Sequence, residues 1–165
     1  MAGEAEEGGF SESQREGLKG RSADQDRTLA AIHRLEEALG SAAPGRETAW
    51  RDDVLAALGV LDEVAAEEDD NAGRPDSLLS DIKRTQPRLR NRVRGVRVQY
   101  AQLRDRIAAL RHELGEGGDH GADFADIRQR LAWLMTAFRH QRARESDLIY
   151  EAYYDAFNAE LRPDR

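Results

Sequence analysis

The stretch from Leu89 to Leu114 constrains this chain most. Leu89, Val93, Val96, Tyr100, Leu103, Ile107, Leu110 and Leu114 recur at spacings of three and four, separated by arginines, glutamines and an aspartate. Residues at those spacings share one face of an α-helix, so the segment predicts a single long amphipathic helix. Such a helix must bury its apolar stripe against other elements. Pro87 stands where a proline opens a helix without losing a needed N–H, and the run GEGGDHGAD breaks the pattern at its far end.

Three more long helices are expected. The first begins near Ser22, where Ser22 and Gln25 have capping-box spacing, and carries Leu29, Ile32, Leu35 and Leu39 up to Gly40. The second, from about residue 47 to about residue 69, carries Trp50, Val54, Ala57, Leu58, Leu61, Val64 and Ala65. A short helix, SLLSDIKR, leads to Pro87. The last runs unbroken from near Asp123 to about Leu161, with Phe124, Ile127, Leu131, Leu134, Met135, Phe138, Leu148, Ile149 and Ala152 on one side. No segment alternates like a strand for long enough to compete. The expected fold is all-α, an antiparallel up-down-up-down four-helix bundle over residues 23–165. Residues 1–22, rich in Gly, Glu and Ser with Phe10 as their lone aromatic, read as a disordered acidic tail.

Composition narrows the chemistry. The 165 residues suit one domain with its own core. With no cysteine, disulfides, iron–sulfur clusters and thiolate nucleophiles are excluded. MAGEAEEGG lacks the apolar core of a secretory signal, and no apolar run approaches the roughly 20 residues of a membrane span. A cytoplasmic location with no membrane partner is therefore expected. The net charge is −7, yet residues 83–106 hold nine Lys or Arg. Without interleaved aromatics this reads as a solvated, salt-bridged flank, and a nucleic-acid partner is not expected. The glycine-rich run follows a helix rather than a strand, so it is no phosphate cradle. No Ser/His/Asp arrangement stands out, and the chain does not read as an enzyme. Trp133 and Val98 face away from their stripes. YEAYYDAF is aromatic on more than one side, which suits either a cap over the bundle end or a surface for a homodimer or protein partner.

Three segments, LEEALGSAAPGRETAW, TQPRLRNRVRGVRVQYAQLRDRI and RHQRARESDLIYEAYYD, resemble hemerythrin-like (HHE-type) domains, in particular an uncharacterised bacterial branch. The resemblance spans roughly residues 27 to 157. It implies the same up-down bundle, in which inward histidines and carboxylates hold two non-haem irons. Here the motif positions are altered. The family's His-x-x-x-Glu places Gln141, not His140, in the histidine position before Glu145. Tyr100, preceded by Gln99, takes the histidine position of the third helix, and Arg104, four residues on, cannot ligate a cation. The matching region of the second helix holds Glu68 and no histidine.

The helical wheel agrees with that degeneration. Counting from Phe124, the apolar face of the last helix centres near about 325°; Gln141 and Glu145 fall near about 260° and 300°, and His140 near about 160°. His140 is thus a surface residue. His33 lies at the edge of its helix's stripe, His112 on an outer face and His120 in a loop; the chain has no other histidine. Arg142 projects onto the face of Phe124, five turns earlier, and Glu68 onto that of Trp50. Two readings follow. In the first, Gln99, Tyr100, Gln141, Arg142 and Glu145 form a polar core network in which one fixed cation replaces the metals, no cofactor is expected, and the protein is a non-enzymatic binding or interaction module; its bland version has Arg142 snorkelling to solvent. In the second, Glu68, Glu145, Tyr100 and Gln141, with His33, ligate iron or manganese in an oxygen or nitric-oxide sensor or an iron-handling protein.

Overall fold

A computed structural model describes residues 8–41, 44–116 and 124–162; His120 and residues 1–7 of the expected tail lie outside them. Among the described residues the chain is all-α, with no strand. We number the helices α1 (Glu12–Gly40), α2 (Glu47–Ala72), α3 (Leu78–Thr85), α4 (Arg90–Glu116), α5 (Phe124–Ala152) and α6 (Tyr154–Leu161), with a 3-10 turn, Pro87–Leu89, leading into α4. None is long and apolar enough to cross a membrane.

Two boundaries depart from expectation. The first helix starts ten residues before Ser22, so residues 12–22 are helical and not a disordered tail. The capping box forms at Ser11 and Gln14: the Gln14 N–H donates to Ser11 Oγ at 3.1 Å, and the Ser11 N–H donates to Gln14 Oε1 at 2.9 Å. Both S-x-x-Q runs suit a cap; tertiary contacts select the earlier one. Phe10 is buried, its ring 4.8 Å from that of Phe157 and 5.7 Å from that of Tyr153. Gly17 lies where a β-carbon would come within 2.9 Å of Leu78 Cδ2, so glycine lets α1 approach α3 closely. The apolar surface that residues 8–22 lack by themselves is supplied by α3, α5 and α6.

The last helix is two. It breaks at Tyr153, whose backbone leaves the α-helical region (φ −113°, ψ 26°). The Gln86 side-chain amide donates to the carbonyl of Ala152, and the Tyr153 hydroxyl donates to Asp81 Oδ2 at 2.6 Å. Both partners come from the α3 region, so side chains 66 and 72 residues away complete the break. Within YEAYYDAF, Tyr153 is buried and Phe157 half-buried under Phe10, while Tyr150 and Tyr154 remain exposed.

Side-chain pairs tie the long helices together. Thr28 meets Glu68, and Asp24 meets Asn71, between α1 and α2. Asp62 meets Arg111, and Asp69 meets Arg97, between α2 and α4. Glu113 meets Arg130, and Val96 meets Gln141, between α4 and α5. Arg21 meets Glu145, and Glu36 meets Arg139, between α1 and α5.

The interior has two apolar cores. One is built on Leu35, Trp50, Leu58, Leu61, Ile107, Leu114, Leu131 and Leu134. The other gathers Phe10, Leu78, Leu79, Ile82, Leu89, Val93, Leu148 and Tyr153. Polar residues from four helices lie between them in sequence along each helix: the buried Asp24, Gln25 and Thr28 on α1, the half-buried Glu68 on α2, and the buried Tyr100 on α4 and Gln141 and Glu145 on α5.

Candidate functional site

Tyr100 sits where the stripe of α4 turns inward, between Val96 and Leu103, and its ring is buried. Its hydroxyl oxygen lies 2.6 Å from Glu145 Oε2 and 2.9 Å from Glu68 Oε1. Thr28 Oγ1 donates to the other Glu68 oxygen at 2.6 Å. Arg21 Nε reaches the other Glu145 oxygen at 3.2 Å, and Arg21 Nη2 donates to Ser146 Oγ at 3.2 Å. One chain of contacts thus runs Thr28–Glu68–Tyr100–Glu145–Arg21 through all four long helices.

Hydrogen counting decides the charge state. A phenol has one proton to donate and oxygen lone pairs to accept. Two carboxylates within 2.9 Å of it cannot both receive that proton. One carboxyl must itself carry a proton and donate it to the phenol oxygen. Glu145 has Arg21 as countercharge. Glu68 is contacted only by hydroxyls, and burial, followed by the nearby Glu145 charge, pushes its pKa up. The proton therefore resides on Glu68. Burial and the two glutamates also push the Tyr100 phenol up, so it stays neutral.

Around this chain the charges are matched. Asp24 is buried and takes Arg27 and the amide of Asn71. Asp69 takes Arg97 at 2.9 Å and Arg104 at 3.1 Å. The arginine flank of α4 is thus partly engaged inside the fold. Arg88 and Arg92 converge on Glu151, and Arg90 Nε donates to the carbonyl of Lys83.

Two cavities meet at Glu68 and Tyr100. The larger, about 380 Å³, opens between the first half of α1, the end of α2 and the start of α3. Glu68, Tyr100, Glu145, Arg21 and Asp24 line it together with the apolar Leu78, Leu79, Ala72 and Ala23. Gly20 contributes no side chain to that wall, and a β-carbon there would meet nothing within 4 Å. The smaller, about 40 Å³, lies against Leu29, Ile32 and Phe138. Two buried amides line it, and each leaves one atom unpaired: Gln25 Nε2 and Gln141 Oε1.

The expected site residues separate on this geometry. Tyr100, Glu145 and Glu68 come together. Gln141 is buried beside them, but its amide donates to the carbonyl of Val96 at 3.0 Å. Gln99 is half-buried and accepts from Arg144 at 3.0 Å, outside the network. Arg142 is exposed, which corrects its placement in the core. It borders the smaller cavity but makes no ion pair with Glu145, and the cation on Glu145 is Arg21 instead. Arg21, Asp24 and Thr28 escaped the sequence reading because they lie at the start of a helix read as beginning at Ser22. Their signal is spacing: residues 17, 21, 24, 28, 31 and 35 continue the stripe of α1 upstream.

The donor set does not fit a metal ion. Both oxygens of Glu145 and both of Glu68 are engaged by Arg21, Tyr100 and Thr28, and Gln141 is turned to a backbone carbonyl. His33 is exposed and lies 3.0 Å from Glu36, and His140 is exposed on α5. Among the described residues no three His, Asp or Glu side chains are grouped so as to hold a metal. No family model matches the chain, and neither a curated protein nor a solved structure matches it.

Proposed function

We propose that the four long helices form an antiparallel up-down-up-down bundle of the hemerythrin-like kind, in which a charge-paired polar network occupies the place of the metals. On this reading the protein is not an enzyme. It binds a small molecule in the cleft above that network. The side-chain pairs support the topology, since residue numbers rise along one helix as they fall along its neighbour: 24 with 71 and 28 with 68, then 62 with 111 and 69 with 97, then 96 with 141 and 113 with 130.

The observation that carries the function is the Tyr100 hydroxyl bridging Glu68 and Glu145, with Arg21 on the far side of Glu145. A guanidinium there supplies the positive charge that the buried Glu145 carboxylate requires. A cleft of about 380 Å³ with mixed apolar and polar walls is within the range of small-molecule sites. Trp133, 68% exposed, gives a protein-partner role its most prominent surface feature.

Two measurements test the reading. The protein is purified after growth with added iron, manganese and zinc, and its metal content is measured; stoichiometric metal bound through Glu145 removes the proposal. A library of small polar compounds is then screened by thermal shift against the wild type and Gly20→Leu. An added β-carbon at Gly20 meets nothing within 4 Å, so leucine there can enter the cleft space that Gly20 borders. Compounds that stabilise both proteins equally, or neither, exclude the cleft as the site.

A further inference from the structure

Three arginines, Arg21, Arg27 and Arg74, line the cleft with five carboxyl groups, among them Asp24, Glu68 and Glu145. Arg27 pairs with Asp24, and Arg21 pairs with Glu145. Glu68 alone is contacted only by the Thr28 and Tyr100 hydroxyls. The smaller cavity beside it holds one unpaired acceptor and one unpaired donor. Gln141, 3% exposed, leaves Oε1 without a partner in the small cavity that Glu68 and Tyr100 also line. Gln25 Nε2 is a spare donor there, but it is neutral and cannot supply the missing countercharge.

We propose that the cleft binds an organic primary ammonium with a short alkyl body, its head on the Glu68 carboxylate and its body along Leu78, Leu79 and Ala72. The inference rests on the cleft being a binding site and names the ligand class for it. An ammonium brings donors and one positive charge to a carboxyl whose partners are two uncharged hydroxyls. The wall at Gly20 leaves room for methylenes, and their burial adds affinity that a bare ammonium ion lacks.

Binding exchanges a proton for the cation. Without ligand, Glu68 donates its proton to Tyr100. With ligand, Glu68 is a carboxylate that accepts from the ammonium, and the proton leaves to solvent. The surrounding charges oppose any simpler neutralisation. Glu16, Arg21, Asp24 and Arg27 face the site from α1, Glu67 and Asp69 flank Glu68 on α2, Arg74 and Asp76 line the cleft between α2 and α3, Tyr100, Arg97 and Arg104 come from α4, and Glu145, with Arg139 and Arg142 on the smaller cavity, comes from α5. Arg97 and Arg104 are held by Asp69, and Arg27 is shared by Asp24 and Glu67. No cation in this set contacts Glu68.

The test is titration calorimetry with n-butylamine on the full chain, at about pH 6, above the ordinary carboxylate range. Two buffers of different ionisation enthalpy report proton release. Saturable binding should release protons, fewer per amine as pH rises, because Glu68 in the free protein then holds its proton less often. n-Butanol, which keeps the body and loses the charge, should not bind measurably. Glu68→Gln should weaken the amine by about thirtyfold or more, as deletion of one partner of a desolvated charge pair does. In the free protein this variant replaces a protonated carboxyl with a neutral amide of similar size, so it should fold, and circular dichroism checks that it does. No amine binding, equal binding by Glu68→Gln, or binding without proton release overturns the proposal. A neutral or anionic compound that stabilises the wild type but not Gly20→Leu leaves the cleft standing as a site and removes the amine as its ligand.

Discussion

The two ends of the interior differ in how they are held. Around Trp50, Leu58, Leu61, Ile107 and Leu131 the core is fully buried and apolar, and four helices share it. Around Tyr100 and Glu145 the same four helices meet through hydrogen bonds and one buried ion pair, beside an open cleft. The apolar end is stabilised by contact area, which tolerates small shifts of any one side chain only at a cost in packing. The polar layer depends on complementarity: each charge is tolerable only while its partner is present. Stability is concentrated at one end, and chemical individuality at the other.

The largest effect should come from emptying the apolar end. Leu131→Ala, at a fully buried position shared by α5 with its neighbours, should cost about 2–5 kcal/mol in urea unfolding. Phe10→Ala should cost somewhat less, about 2–4 kcal/mol, since its ring packs on Tyr153 and Phe157 at the end of the fold. A negligible loss there would mean that residues 8–12 do not hold α1 against α6, and the helix start at Glu12 would need another cause.

Within the polar layer, Arg21→Ala strands the Glu145 carboxylate and should cost about 2–3 kcal/mol, below the full cost of a deep pair because Arg21 is partly exposed. Arg142→Ala should stay within about 0.5 kcal/mol, as for other surface substitutions. If the two variants exchange these magnitudes, the arginine of the network is on α5 after all.

The subtlest difference is in pH dependence. The Glu68 pKa is raised above its ordinary 4.5 in the folded state, so between that value and the folded pKa the native protein binds more protons than the unfolded chain. Its contribution to stability is full below about 4.5 and declines as pH rises through the folded pKa. Glu68→Gln should therefore be flatter than the wild type across that window and gain on it at the alkaline side, measured by urea midpoints at a series of pH values. A wild type that gains stability over the same window relative to the variant would place the shared proton elsewhere.

The helices were legible in the sequence because apolar spacing is a local property. The stripe from Leu89 to Leu114 lies inward at each of the eight positions it marks. Gln141 and Glu145 were also legible, since their angle on α5 puts them on the buried side whatever they contact. Glu68 and Tyr100 were found by the same means, and the structure joins them through one hydroxyl.

Where spacing had two answers, the sequence could not choose. Ser11 and Ser22 both begin an S-x-x-Q run, and the cap forms at Ser11 because Phe10 and Gly17 find α6 and α3 there. α5 ends at Ala152 rather than continuing, because Gln86 and Asp81 reach across from the α3 region. Arg21 and Arg142 are both arginines near a turn-repeat of the core face. Which one pairs with Glu145 depends on the direction from which a neighbouring helix delivers a cation, and α1 delivers it. Periodicity along one helix determined which faces are buried. Partners supplied by other helices determined which buried charges are neutralised, because neutralisation is a matter of distances of a few ångströms between segments far apart in the chain.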